Sequence, residues 1–203
     1  LQRMSLSFDR RLREKLKAAN YEDRLRGLSL VRRAGLTRFY ADDVLRLCDD
    51  EHVMVRSAAV SALADIPGPA SERKLIEAMD DENLRVQANG IEVLESYNVP
   101  NLFETLEPKL RSSNNRVRAN AIKAILKPQY SIGIRALMAM LDHPDASFRR
   151  SALWAVSQTF PIHLIKKVHQ MMTDDPDPDV KNAAARTVRE MAHFWKETQN
   201  SKA

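Results

Sequence analysis

The sequence predicts an all-α fold, a right-handed α-α superhelix of about six stacked helical pairs. The first observation behind this prediction is a motif, Val-Arg-x-x-Ala, that returns every 31 or 32 residues, a period typical of helical-repeat proteins. The second is a polar turn before every copy, and the third is a small residue at the fifth position of every copy. The copies begin at Val55, Val86, Val117, Phe148 and Val180.

Each repeat is predicted to contain a first helix, a polar turn and a second helix that starts at the motif. Asp, Asn and Ser in the turns accept hydrogen bonds from the free N–H groups at a helix start. Pro between repeats ends the preceding helix. The first helices are predicted at residues 39–48, 70–79, 101–110, 131–141 and 161–172.

The second helices carry a packing signal. The small fifth residue, for example Gly90 or Ala121, lies four residues before a branched apolar residue such as Leu94 or Ile125. A spacing of four places both on one stripe of a helix. We therefore expect the small residue to allow close approach of the paired helix, and the branched residue to fill the layer between repeats.

The two ends of the chain depart from the repeat. A degenerate first pair is predicted, with helices near 7–18 and 22–34, because the terminal repeats of a stack are atypical. The last helix is expected to end near Trp195 and the remaining residues to fray. The predicted segments are 1–38 for basic capping helices, 39–195 for the solenoid and 196–203 for a frayed tail.

The motif and its turns resemble HEAT repeats, in particular short HEAT-like repeats of about 31 residues per helical pair. Two stretches carry most of the resemblance: residues 141–149, Leu-Asp-His-Pro-Asp-Ala-Ser-Phe-Arg, and residues 174–181, Asp-Asp-Pro-Asp-Pro-Asp-Val-Lys. The resemblance implies a HEAT/armadillo-like solenoid. Such proteins serve as scaffolds, adaptors, nucleic-acid binders and, in a few cases, enzymes, so the fold alone does not specify the function.

A basic residue occupies the second motif position in four copies, and Gln87 occupies it in the fifth. The resemblance implies that these basic residues pair with acidic turn residues of the same or a neighbouring repeat. We therefore interpret them as a structural ladder rather than a phosphate-binding stripe. The basic residues are Arg56, Arg118, Arg149 and Lys181, and the predicted acidic partners are Asp49, Asp80, Asp142 and Asp174.

The position two residues past the small one differs between repeats. It is polar or charged in four of five copies and is Trp154 in the other, so it is expected to face solvent on the concave, second-helix surface. An exposed Trp beside Arg150 is typical of a binding hot spot; alternatively, its ring packs over the adjoining repeat. The predicted partner-binding residues are Trp154, Arg150, Lys123, Asn89, Asn120, Arg186 and Arg189.

The N-terminal helix is amphipathic, since Phe8, Leu12 and Leu16 recur at a spacing of four. One interpretation is that this apolar stripe covers the first repeat. The other is that the basic residues dock on an anionic surface, either lipid headgroups or nucleic acid. The residues that would bind such a surface are Arg10, Arg11, Arg13, Lys15 and Lys17.

Charge and composition limit the ligands and the cellular compartment that we expect for this protein. Residues 1–38 hold 11 Lys or Arg against 4 Asp or Glu, whereas residues 39–203 hold 21 against 23, so a long nucleic-acid footprint is not expected. The single cysteine, Cys48, fits a reducing, cytoplasmic environment. No apolar run approaches the ~18 residues that span a bilayer. Because the first residue is Leu1 rather than Met, we expect a piece of a longer polypeptide.

These observations favour a non-catalytic scaffold or adaptor that binds a protein partner, or another domain of the same polypeptide, on its concave face. The alternative is a nucleic-acid-binding HEAT solenoid with Trp154 stacked on a base; a HEAT-like DNA glycosylase is less favoured, since no catalytic Asp can be matched. The five His residues lie apart without a nucleophile signature. Neither an enzyme nor a metal, a cofactor or a small-molecule substrate is expected.

Overall fold

The computed structural model describes residues 6–97 and 99–200, and these residues form twelve α-helices without any strand. The helices belong to two compact units, the first ending at Pro100 and the second beginning at Asn101. Each unit contains three helical pairs. The predicted all-α class and the predicted six pairs are confirmed.

The first unit contains the helices α1 Leu6–Leu16, α2 Tyr21–Arg33, α3 Ala41–Leu47, α4 Val53–Ala62, α5 Pro69–Ala78 and α6 Leu84–Ser96. Within it, α1 packs on α2, α3 on α4 and α5 on α6. The second helices also lie side by side, α2 next to α4 and α4 next to α6. The capping role predicted for residues 1–38 stays a prediction, and residues 1–5 lie outside the described part of the chain.

The second unit contains α7 Leu102–Leu106, α8 Asn115–Leu126, α9 Tyr130–Leu141, α10 Ala146–Thr159, α11 Ile165–Asp174 and α12 Pro178–Asn200. Its second helices are again neighbours, α8 next to α10 and α10 next to α12. Its core lies between the paired helices and includes Ile122, Leu137, Val156 and Val168, all fully buried.

Two helices end at residues that the repeat pattern did not predict. The predicted helix 101–110 is α-helical only as far as Leu106 and then tightens into a 3-10 segment, Glu107–Arg111. Pro108 explains this change, because it has no N–H to continue the α-helical hydrogen bonds.

At the other end, α12 continues past Trp195 to Asn200, so the predicted end at Trp195 is wrong. No Gly or Pro interrupts this segment. The hydroxyl of Thr198 also donates to the Phe194 carbonyl at 2.8 Å. Residues 201–203 of the predicted frayed tail lie outside the described residues.

The small fifth residue of the motif has the predicted packing role. A Cβ atom added at Gly90 would lie 3.1 Å from the carbonyl oxygen of Leu75 and 3.2 Å from the Cβ of Ala78, so α5 and α6 approach at their backbones. Leu94, four residues later, is fully buried. Close contact between the helices of a pair therefore depends on the absence of a larger side chain at this position.

A side-chain cap opens each second helix in both units, as the polar turns predict. Asn114, for example, accepts hydrogen bonds from the N–H groups of Arg116 and Val117, each at 3.0 Å. These bonds satisfy donors that a helix start otherwise leaves free. The capping residues are Asn20, His52, Asn83, Asn114, Asp145 and Asp177.

Three arginines at equivalent repeat positions make the same set of contacts. Arg149 donates to the carbonyls of His143 and Pro144 in its own turn, at 2.9 and 2.8 Å, and pairs with both carboxylate oxygens of Asp175 in the next turn at 2.8 Å. Both partners are buried. The same contacts join Arg24 to Asp50 and Arg56 to Asp81.

Of the four predicted basic residues, Arg56 and Arg149 thus form the ladder, and their acidic partners lie one residue later than predicted. The carboxylate of Asp50 also accepts the N–H of His52 at 2.9 Å, a bond that turns it toward the arginine. Asp49, the predicted partner, is exposed and instead binds Lys74 at 2.7 Å. The same shift holds in the later turns, where Asp81 and Asp175 replace the predicted Asp80 and Asp174.

Arg118 makes a different rung of the ladder. In the next turn, His143 occupies the position at which Asp81 and Asp175 supply a carboxylate, and histidine has no carboxylate. The neighbouring Asp142 pairs with Lys167 instead. The Arg118 guanidinium donates to the Ser112 carbonyl at 2.9 Å and lies 5.0 Å from the centroid of the Phe148 ring. A cation–π contact therefore takes the place of the ion pair.

Removing one buried partner of the ladder is expected to cost far more stability than removing its exposed neighbour. Arg149→Ala leaves Asp175 buried without its cation, and we expect the free energy of unfolding to fall by about 3–5 kcal/mol. Arg150→Ala, the matched control, removes an exposed pair and should change it by less than about 1 kcal/mol. Urea unfolding followed by circular dichroism measures both, and equal losses would contradict a structural role for Arg149.

The same pair predicts a dependence of stability on pH. Burial opposes the ionisation of Asp175, but hydrogen bonds from Arg149 and the Asp177 N–H, together with the Arg149 charge, outweigh it and lower the pKa of Asp175. Its contribution is therefore complete above the unfolded pKa of about 3.9 and is lost as the pH falls through the folded pKa. Asp175→Asn should destabilise the chain most at neutral pH and progressively less in acid. A destabilisation that stays constant between about pH 7 and pH 3 would contradict this assignment.

Candidate functional site

The second-helix face of the second unit carries a half-exposed tryptophan. Trp154 on α10 is 38% exposed, and the Nζ of Lys123 on the neighbouring α8 lies 5.5 Å from its ring centroid. The two residues occupy equivalent positions of consecutive repeats, so the repeat itself brings them together. The indole thus packs against one cation of the adjoining repeat while part of its ring stays open to solvent.

Three arginines lie on α10 and α12 of the same unit. Arg150 is exposed and pairs with the carboxylate of Asp179 at 3.1 Å. Arg186 and Arg189 are also exposed, and neither forms an ion pair within the described part of the chain. We call the set of Lys123, Arg150, Trp154, Arg186 and Arg189 the Trp154 face.

The two predicted asparagines do not belong to this face. Asn120 is only 7% exposed, so its predicted role in partner contact is wrong. The helix that carries it, α8, packs against α7, α9 and α10, which leaves little of its circumference uncovered. Asn89 lies in the first unit, where its amide nitrogen donates to the Ser57 hydroxyl at 2.9 Å and the Ser61 hydroxyl at 2.9 Å. It ties α4 to α6.

The basic N-terminal helix is largely occupied by contacts within the chain. Arg13 pairs with Asp9 at 3.3 Å and with Asp43 at 3.2 Å. Arg10 pairs with Glu14, and Lys15 with Asp23. Of the predicted apolar stripe, Leu12 and Leu16 are buried, whereas Phe8 is 45% exposed. Only Arg11 and Lys17 of the five predicted residues are exposed without an ion pair in the described chain.

A groove on the first unit was missed by the sequence analysis. It encloses about 500 Å³ between α2, α4 and α6. Arg33 ends α2 and Arg85 directly precedes the motif residue Val86, a position that the comparison of repeats left out. The sequence does contain one signal for this groove, because the charged Arg85 occupies the position that the apolar Met54 holds in the previous copy. The lining residues are Leu25, Leu28, Ser29, Arg32, Arg33, Met54, Ser57, Ala58, Ser61, Arg85 and Asn89.

The part of the chain that the structure describes holds no cluster of metal-binding side chains, and its cysteine is buried. No three His, Cys, Asp or Glu side chains of residues 6–97 and 99–200 are placed to hold a metal ion. Cys48 is buried, and burial raises the pKa of its thiol to about 12, so the reactive thiolate is scarce at neutral pH. None of the helices formed by the described residues combines the length and the apolar character needed to cross a membrane.

The paired helices and their ladder define a protein of stacked α-helical repeats. Residues 72–157 match the family model of HEAT repeats. The predicted resemblance to HEAT repeats is confirmed over these residues. A comparison with curated protein sequences found no match.

Solved structures share the architecture at low sequence identity. The X-ray structure of YibA from Escherichia coli is 17% identical, with a TM-score of 0.61 over 93% of this chain and 74% of that one, which shows the fold alone. A designed armadillo repeat protein is 15% identical over 89% and 98% of the two chains, with a TM-score of 0.45. A computationally designed armadillo repeat protein for modular peptide recognition is 17% identical over 91% and 92%, with a TM-score of 0.41.

The contact between Lys123 and Trp154 predicts the charge sensitivity of tryptophan fluorescence. In a Trp195→Phe background, where Trp154 is the single tryptophan, iodide should quench emission more strongly than caesium. Lys123→Met should lower the iodide-to-caesium ratio by roughly two- to threefold, because one unit charge at this distance in water is worth under ~1 kcal/mol. In the matched Trp154→Phe background the same substitution should leave quenching of Trp195 unchanged. An unchanged ratio for Trp154 would contradict the contact.

Proposed function

We propose that this protein is a non-catalytic interaction scaffold and that its Trp154 face binds a protein partner or another domain of the same polypeptide. The observation that carries the proposal is the exposure of Trp154 on a helix surface where the equivalent residues of other repeats are polar. Burial of an indole in an interface removes ~150–250 Å² of surface from water. Tryptophan and arginine are also the residues most often found at binding hot spots.

The rest of the face supports recognition of a protein surface. The stacked helices α8, α10 and α12 hold the face without mobile loops, so little conformational freedom is lost on binding. The arginines of the Trp154 face differ in their availability, since Arg150 is engaged by Asp179 whereas Arg186 and Arg189 are not. A partner with an apolar pocket and an acidic rim fits this combination. The single, buried Cys48 is consistent with a cytoplasmic location.

Replacement of Trp154 is expected to weaken partner binding without unfolding the chain. Trp154→Ala should weaken the complex by at least about thirtyfold, the effect of losing a ~2 kcal/mol hot spot. Trp195→Ala is the matched control, because Trp195 is also exposed but lies outside the face. Affinity capture from cell extract, with quantitative mass spectrometry of the bound proteins, compares the two variants with the wild type.

Nuclease treatment and thermal unfolding separate the other outcomes. Partners that survive nuclease and are lost only with Trp154→Ala support a protein-binding face. Loss of the bound proteins after nuclease would favour the nucleic-acid alternative. A lower melting temperature with binding intact would assign Trp154 to packing.

A further inference from the structure

The groove between α2, α4 and α6 combines an apolar floor with a cationic rim. Leu25, Leu28 and Ala58 contribute apolar surface, and Met54 is 40% exposed at its edge. No Asp or Glu lines it. A surface of this kind suits a ligand that carries both apolar groups and negative charge.

The rim arginines differ in whether their charge is already matched. Arg32 lies 3.5 Å from the carboxylate of Asp65. Arg33 and Arg85 are exposed and form no ion pair within the described part of the chain. Guanidinium groups bind carboxylates through two parallel hydrogen bonds. The groove therefore offers two unmatched cations, one on α2 and one on α6, on either side of an apolar floor.

The wall of the groove is fixed by side-chain hydrogen bonds. The Asn89 amide nitrogen donates to the carbonyl and the hydroxyl of Ser57 and to the hydroxyl of Ser61. These bonds join α6 to α4, so the distance between the apolar floor and Arg85 is set before a ligand arrives. Such preorganisation lowers the cost of binding.

We propose that this groove binds an extended acidic peptide segment, with an apolar side chain on the floor and carboxylates at Arg33 and Arg85. A nucleic acid fits less well, because the lining contains no aromatic ring on which a base could stack. The proposal goes beyond the Trp154 face, since it concerns the other unit and does not depend on Trp154.

Selection of displayed random peptides of roughly twelve residues, an extended length of ~40 Å, tests the proposal on the whole chain. Selected peptides are expected to contain Asp or Glu on both sides of a large apolar residue. A fluorescein-labelled copy of the most enriched peptide is then measured by anisotropy. Its affinity should fall at least about tenfold with Arg33→Gln or Arg85→Gln, and similarly when its acidic residues are replaced by Asn and Gln.

Arg116→Gln is the matched control, because Arg116 holds the repeat position of Arg85 but lies in the second unit and is exposed. It should leave the affinity unchanged, as should Trp154→Ala, so failure of this proposal is distinguishable from failure of the Trp154 face. Three results would overturn the proposal: a selected pool without acidic enrichment, a peptide whose affinity is insensitive to Arg33 and Arg85, or a labelled single-stranded DNA that binds more tightly through the same arginines.

Discussion

The guanidinium fork between consecutive turns recurs in both units, at Arg24 and Arg56 in the first and at Arg149 in the second. Arg149 is held by two carbonyls of its own turn and by both oxygens of Asp175 in the next. A buried ion pair of this kind adds little net stability over an apolar pair, yet it is costly to break. Its main effect is geometric: it joins the turn before α10 to the turn before α12 and so sets how these two neighbouring second helices lie against each other.

This constraint determines which residues are available for binding. Arg149 and Arg150 are adjacent in sequence, but the first is buried in the ladder whereas the second is on the surface. Likewise, Arg24 is buried and joins two turns, whereas Arg33, at the end of the same helix, is exposed. The proposed interface therefore relies on positions that the repeat leaves free, at which the copies differ.

The sequence periodicity predicted the structural features that depend on residues within a single repeat. Helix caps, the small residue at Gly90 and the existence of each helical pair all follow from patterns within one repeat. The ladder partner was missed because Asp49 and Asp50 are chemically alike, and only the hydrogen bond to the His52 N–H turns the second carboxylate inward. The burial of Asn120 depends on three neighbouring helices, which no pattern within its own helix reports.

The groove of the first unit was also not predicted from the sequence. The sequence gives the formal charge of a segment, but not which of its charges are already paired within the protein. Residues 1–38 carry 11 basic residues, yet Arg13, Lys15, Arg24 and Arg32 have acidic partners within the unit. An ion pair presents a weak, rapidly screened dipole, whereas an unmatched guanidinium beside a low-dielectric surface keeps most of its attraction. The number of basic residues in this segment therefore does not predict anion binding unless the cations with acidic partners are left out of the count. What remains beside an apolar surface is Arg33, joined there by Arg85 from a helix more than fifty residues further along the chain.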